Sequence, residues 1–437
     1  MWVATQKLPR SPGHPFYERL NQVLEKAGFD AFVEARCARF YAAGIGRPSL
    51  RPGRYFRMLL VGYFEGLNSE RGIAWRVADS MSLRAFLDLG PEETPPNHST
   101  VSRTRRRIDV ETHGEVFTWV LAQLAQAGLV RGKTIGIDAT TLEANAALRT
   151  LVRRDTGQDY ETFVKGLAKS SGVPTPTREE LVRFDRKRKK KTSNREWMNP
   201  HDPDAKITKL KDGRTRLGHK VEEAVDLETG AVLAVTAPEE LGDTQTLGKT
   251  LRMAQEEVEA VGLGAQVREV VADKGYHSNE TVLELKTLGL RGYLSETDRG
   301  RRNWKGKNRK YQAPVYANRR RIRGRRGRRL QRQRSELVER PFAHQFSTGG
   351  LRRIFVRGHA NVRKRLLIHV CGFNLGLLMR RLTGIGTPRS LQGRVLARLF
   401  TLFGPKTGRW LGWNRLWERF WAPIGPDSLL GAPRTHQ

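Results

Sequence analysis

KTIGIDATT (residues 133–141) and REVVADKGYHS (residues 268–278) decide the fold. In the first, Ile135 and Ile137 alternate with smaller neighbours, the period of a strand, and the apolar pattern stops at Asp138. In the second, Val270, Val271 and Ala272 form a short buried strand that also ends on an aspartate, Asp273. Between them, GHKVEEAVDLETGAVLAVTAPE (218–239) reads as a β-hairpin turning at Glu228-Thr229-Gly230. Residues 244–260 read as a helix capped by Asp243. Downstream, Ser278 or Asn279 starts a helix that Gly289 stops, and RGYLSE (291–296) is a further strand. KRLLIHVCGFNLGLLMRRL (364–382) is an apolar helix expected to pack on the sheet. Strands that alternate with helices argue an α/β domain.

Upstream of Lys133 the pattern is helical. Phe56, Leu59, Leu60, Tyr63 and Phe64 follow helical spacing, as do Ile73, Val77 and Ala78. After a proline-rich loop, His98-Ser99 is expected to cap a helix whose outer face carries Arg103, Arg105, Arg106 and Arg107. Short helices leading into a basic helix suggest a helix-turn-helix-type DNA-binding unit. The expected division is a helical DNA-binding domain at 1–130, an α/β domain at 131–385 and an amphipathic tail at 386–437. Two basic stretches interrupt the α/β domain. Residues 149–200 are a polar insertion holding six consecutive bases, Arg186 to Lys191, expected to be a solvated arm. Residues 301–330 contain fourteen Lys or Arg and no acid. They are expected to lie extended along a polyanion, with Trp304 available to stack on a base.

The 437 residues carry 79 Lys and Arg against 45 Asp and Glu, a formal charge of +34. Such a charge favours a polyanionic partner, because neutralising phosphates releases counterions. A basic binding protein without catalysis has the same composition. Only Cys37 and Cys371 occur, which excludes a disulfide scaffold and a cysteine-based zinc finger and fits a reducing compartment. No run of about 18 uncharged apolar residues appears, and the first twenty residues lack a signal-peptide core. A cytoplasmic, nucleoid-associated protein is expected.

Three acids stand at positions suited to phosphodiester chemistry. Asp138 and Asp273 end strands, and Glu339 lies on a helix within SELVERPFAHQF (335–346). Two or three carboxylates can hold a pair of Mg²⁺ ions about 3.5–4 Å apart, and Mg²⁺ takes hard oxygen ligands, several of them from water and phosphate.

IGIDATTLEANAA, VVADKGYHS and LVERPFAH, taken in order, resemble the three catalytic blocks of bacterial insertion-sequence transposases of the DDE class. HKVEEAVDLETG, GDTQTL and GHANVRKRLLIHVCGFNLGLLMRRL resemble further parts of that family, and residues 53–90 with NHSTVSRTRRRI resemble its N-terminal helical domain. The resemblance spans roughly residues 15–385. It implies an RNase H-like catalytic core, with Asp138, Asp273 and Glu339 as catalytic and metal-holding residues and Mg²⁺ as the ion, Mn²⁺ substituting. It also implies binding of the element's inverted repeats, nicking of its ends and joining of each 3′-hydroxyl to target DNA, carried out by a homodimer in a synaptic complex. The family's signature places an arginine four residues before the glutamate and a lysine seven after. Glu336 has Arg332 four before it, Glu339 has Ser335, and neither has the lysine. Glu339 is favoured on the VERPF match, and DNA contacts are assigned to Arg103, Arg105, Arg106, Arg107, Lys274, Arg340, Arg352 and Arg353. A structure-specific nuclease on the same fold, or a DNA-binding protein with an inactive core, are the alternatives.

Overall fold

A computed structural model describes residues 13–42, 49–172, 177–187, 193–210, 213–240, 242–297, 302–306 and 308–391. The expected tail at 386–437 and the basic run at 186–191 fall largely outside them. The N-terminal region is helical as anticipated: α1 (Pro15–Lys26), α2 (Phe29–Cys37), α3 (Pro52–Glu65), α4 (Glu70–Ala78), α5 (Met81–Phe86), α6 (His98–Arg107) and α7 (Val110–Gln126). Local chemistry sets the boundaries. Ser69, Ser80 and Asp109 each accept a backbone N–H of the first turn of α4, α5 and α7. Asn97, not His98 or Ser99, caps α6 by accepting the Ser99 N–H.

The sheet is built from β1 (Thr134–Ala144), β4 (Lys206–Lys209), β5 (Thr215–Asp226), β6 (Val232–Thr236), β7 (Glu269–Ala272), β8 (Arg291–Leu294) and β9 (Arg353–Ile354). β2 (Val152–Arg153) and β3 (Trp197–Met198) pair separately. Along the main sheet the order runs β6-β5-β1-β7-β8, with β4 continuing β6's edge of β5. β6, β5 and β1 are antiparallel neighbours; β1, β7 and β8 are parallel. The parallel pairs need crossovers, supplied by α10 (Asp243–Ala260) before β7 and α11 (Asn279–Thr287) before β8. The anticipated cap of α10 shifts by one: Gly242 is the N-cap, and Asp243 is the first helical residue, paired with Lys220 Nζ at 2.7 Å.

One expectation about the basic stretches is corrected. The run 186–191, expected to be a solvated arm, lies largely outside the described residues, and the polar insertion around it is not an arm. β2 and β3 with α8 (Tyr160–Ser170) and α9 (Arg178–Lys187) make a small folded insertion, in which Trp197 is buried between Tyr160 and Phe163. Residues 301–330 are not an extended arm either. They contain α12 (Gln312–Arg323) and the start of α13 (Arg325–Ser347), and several of their bases are tied to acids of the fold. Arg302 and Arg319 pair with Glu296, and Arg326 pairs with Glu269. Trp304 donates its indole N–H to the Tyr316 hydroxyl at 3.1 Å.

α14 (His359–Thr383) joins the two regions. It packs on α7 and α3 on one side and on β6 on the other. Its Asn374 side chain both donates to Val232 O and accepts from Val232 N–H, so the edge strand keeps its backbone pairing. The described residues up to 388 form one compact unit. No helix among the described residues is long and apolar enough to cross a membrane.

Candidate active site

β1 does not end at Asp138. Its pairing with β5 continues to Glu143, while its pairing with β7 stops at Ile137↔Ala272 and β9 resumes only at Glu143. Between these points no described strand covers that edge of β1. Asp138 and Asp273 are the next residues after the last parallel pair, so the two aspartates stand side by side where β7 peels away from β1. Strands about 4.8 Å apart put them on adjacent positions. Both carboxylates are held the same way. Asp138 Oδ1 accepts the Ala139 N–H at 2.8 Å, and Asp273 Oδ1 accepts the Lys274 N–H at 2.6 Å. Each is half-buried.

α13 lies across β1, β7 and β5. Its buried stripe is Leu330, Arg334, Val338, Pro341, Phe342 and Gln345. Val338 fills the space that a side chain at Gly136 would need: a Cβ there would come within 2.6 Å of its Cγ2. Alternation along β1 puts Asp138 on the same face as Gly136, under α13. Arg334 reaches Asp138 Oδ2 at 3.3 Å, with its own side chain 10% exposed.

Directly opposite Asp138 on β5 is Glu223, wholly buried. Gln345 Nε2 donates to Glu223 Oε1 at 2.5 Å, while Oε2 has no partner. Burial, with the nearby charge of Asp138 adding to it, pushes the Glu223 carboxyl up to about 8. Glu223, Arg334 and Gln345 were not anticipated from the sequence. The available signal was HKVEE itself: a strand buried on both faces that nevertheless carries His219, Lys220, Glu222 and Glu223 has to place those groups in contacts.

Glu339 lies on α13. It follows Val338 on α13 and is exposed, about 100° around the helix from it. Glu336 lies further round, about 160° from Val338, exposed and paired with Arg340 at 2.7 Å. Among the described residues no group of three or more His, Cys, Asp or Glu could hold a metal ion. The carboxylates of Asp138 and Asp273 are hard oxygen donors of the kind that Mg²⁺ takes.

The expected DNA-contacting residues divide by environment. Arg103, Arg106 and Arg107 are exposed on α6, but Arg105 is buried. Its Nε donates to Glu70 Oε1 at 2.6 Å and its Nη2 to Ser102 Oγ, so the expectation of four outward arginines is corrected to three. Lys274, Arg352 and Arg353 are exposed. Arg353 lies 3.9 Å from Glu143, which itself pairs with Arg216 at 2.8 Å. Tyr276, three residues past Asp273, is buried and donates to Glu222 Oε1 at 2.7 Å.

Residues 4–107 match the family model of a transposase domain (DUF772). The match covers α1 to α6, including Arg103, Arg106 and Arg107, and suggests a transposase that binds DNA. No curated protein matches the chain.

Proposed function

We propose that the chain is a DDE-class transposase whose α/β part is an RNase H-like core. One observation carries the reading: Asp138 and Asp273 stand side by side where two parallel strands part, in a chain whose N-terminal quarter matches a transposase domain. The strand order β6-β5-β1-β7-β8, three antiparallel then two parallel additions, supports the RNase H-like assignment. In this reading Asp138 and Asp273 hold Mg²⁺, with Mn²⁺ substituting, and Glu339 is the third acid. Glu339 is favoured over Glu336 because it lies nearer the buried stripe of α13 and is not paired with Arg340. Bound there, the ion supplies Lewis-acid activation of water or a 3′-hydroxyl and stabilises the leaving oxygen.

The protein's own residues do the positioning. Backbone N–H groups of Ala139 and Lys274 orient one oxygen of each aspartate. Arg334 offsets the charge of Asp138 from beneath α13. The exposed arginines of α6 engage the inverted repeats of the element, and nicking is followed by transfer of the 3′-hydroxyl to target DNA. Two ends must be joined, so two copies of the chain act together.

The test is a plasmid carrying the DNA that flanks the gene, incubated with full-length protein and Mg²⁺. Nicking at the element ends and strand transfer are expected. Asp138→Asn or Asp273→Asn should lower both by roughly a thousandfold, the several kcal/mol of such metal-assisted stabilisation. Undiminished nicking by either variant would remove the assignment. Nicking without joining would instead favour a structure-specific nuclease.

A further inference from the structure

On the face of the sheet opposite α13 lies a buried polar network built from three separate stretches of sequence. Glu222 of β5 is at its centre. Its Oε1 accepts the Tyr276 hydroxyl at 2.7 Å and the Thr246 hydroxyl at 2.8 Å, and its Oε2 accepts the Thr250 hydroxyl. Lys220 Nζ bonds Thr246 at 3.1 Å and Asp243 at 2.7 Å. Glu222, Thr246, Thr250, Lys220 and Tyr276 are all buried. Asp243 in turn abuts Gly275: a Cβ at Gly275 would come 2.5 Å from Asp243 Oδ2.

The network therefore grips one object, the single turn Lys274–Tyr276 that follows Asp273. Tyr276 N–H donates to Asp273 O at 3.1 Å, so whatever fixes Tyr276 fixes the residue at which β7 ends. The turn is held from below by the Tyr276–Glu222 bond and from the side by Asp243 against Gly275. We infer that Tyr276, acting through Glu222, is a positioning residue that sets the Asp273 carboxylate for metal binding. The inference rests on the metal-dependent reading given above. Groups that orient a ligand from behind commonly contribute ten- to a hundredfold to metal affinity.

The experiment is Mn²⁺ binding to the full chain, followed by electron paramagnetic resonance. Asp273→Asn serves as the reference, and Thr118→Val, which breaks a hydroxyl–carboxylate bond to Glu257 elsewhere, controls for general loosening. The expected result is loss of site binding in Asp273→Asn, roughly tenfold weaker binding in Tyr276→Phe, and wild-type affinity in Thr118→Val. Gly275→Ala, which displaces the same turn from its other side without touching the hydroxyl, should weaken binding likewise and replaces Tyr276→Phe if that variant does not fold. Wild-type affinity in Tyr276→Phe, or an equal loss in Thr118→Val, overturns the positioning role while leaving the metal site standing. Unchanged Mn²⁺ binding in Asp273→Asn removes the metal site and the inference with it.

Discussion

Single buried side chains divide into those that serve the cleft and those that hold helices together, and Glu257 belongs to the second kind. It lies on α10, accepts the Thr118 hydroxyl of α7 at 2.7 Å, and burial pushes its carboxyl up to about 7. The folded chain therefore keeps this proton over a range where the unfolded chain, with a value near 4.5, has released it. Stability falls as pH rises from about 4.5 to about 7 and stays reduced above. Glu257→Gln retains an acceptor for Thr118 and should stabilise the protein at pH 8 by up to about 3 kcal/mol, with no gain at pH 4. Melting temperatures at the two pH values check this. Arg105 gives the opposite case. Arg105→Gln strands Glu70, which is 16% exposed, and should cost about 3 kcal/mol, whereas Arg106→Gln should leave stability nearly unchanged. Asp273 was legible as a strand end because the apolar run of β7 stops with the strand, whereas Asp138 marks the end of an apolar run inside β1 and not the end of the strand. Arg105 was not legible, because four bases within five residues give no sign of which one faces Glu70 of α4. Glu223 was hidden for a related reason: its environment is made by Asp138 and Gln345, 85 and 122 residues away in sequence.

At the scale of elements, α12 and the first turns of α13 show where composition misleads. A stretch with fourteen bases and no acid looks unable to fold, but its partners, Glu269 on β7 and Glu296 just after β8, lie outside it. Helical spacing then sorts the bases. Arg319 and Arg326 turn to acids, while Arg320, Arg323, Arg325 and Arg329 remain exposed. Changing those four to glutamine should lower the salt slope of DNA binding by roughly 0.9 for each phosphate that is no longer neutralised, with melting little changed. Changing Arg319 and Arg326 should instead lower the melting temperature. Equal behaviour of the two sets in salt titration would assign this surface to something other than DNA. The junction between the helices depends on Gly327, where a Cβ would meet Arg321 O at 2.2 Å and Ile322 O at 2.7 Å. Both are backbone atoms that cannot swing aside, so Gly327→Ala should cost about 1–3 kcal/mol in denaturant unfolding. The α/β alternation around Asp138 and Asp273 was legible because each strand and helix carries its own period. The continuation of β1 past Asp138 was not, since DATTLEA has no apolar alternation and is held as strand by β5.

For the whole molecule, helices on the two sides of the expected boundary near residue 130 pack on one another. Tyr63 of α3 lies against Gly372 of α14, where an added Cβ would come within 2.3 Å of the ring, and Arg365 donates to Leu67 O at 2.7 Å. Lys364 Nζ donates to Arg105 O at 2.9 Å, at the end of the basic helix. A fragment of residues 1–130 lacks all of this and should show no cooperative thermal transition, whereas the chain ending at 388 should keep one. Scanning calorimetry on the two tests it, and a sharp transition in the short fragment would establish an independent N-terminal domain. The same packing has a consequence for synthesis. At about 5–20 residues per second, α14 leaves the ribosome on the order of 10–50 s after α7. Until then α6, which carries Arg103, Arg106 and Arg107, and the chain around Leu67 lack the bonds that Lys364 and Arg365 of α14 supply. A nascent or prematurely terminated chain that lacks α14 should thus be a better substrate for proteases than the chain that contains it.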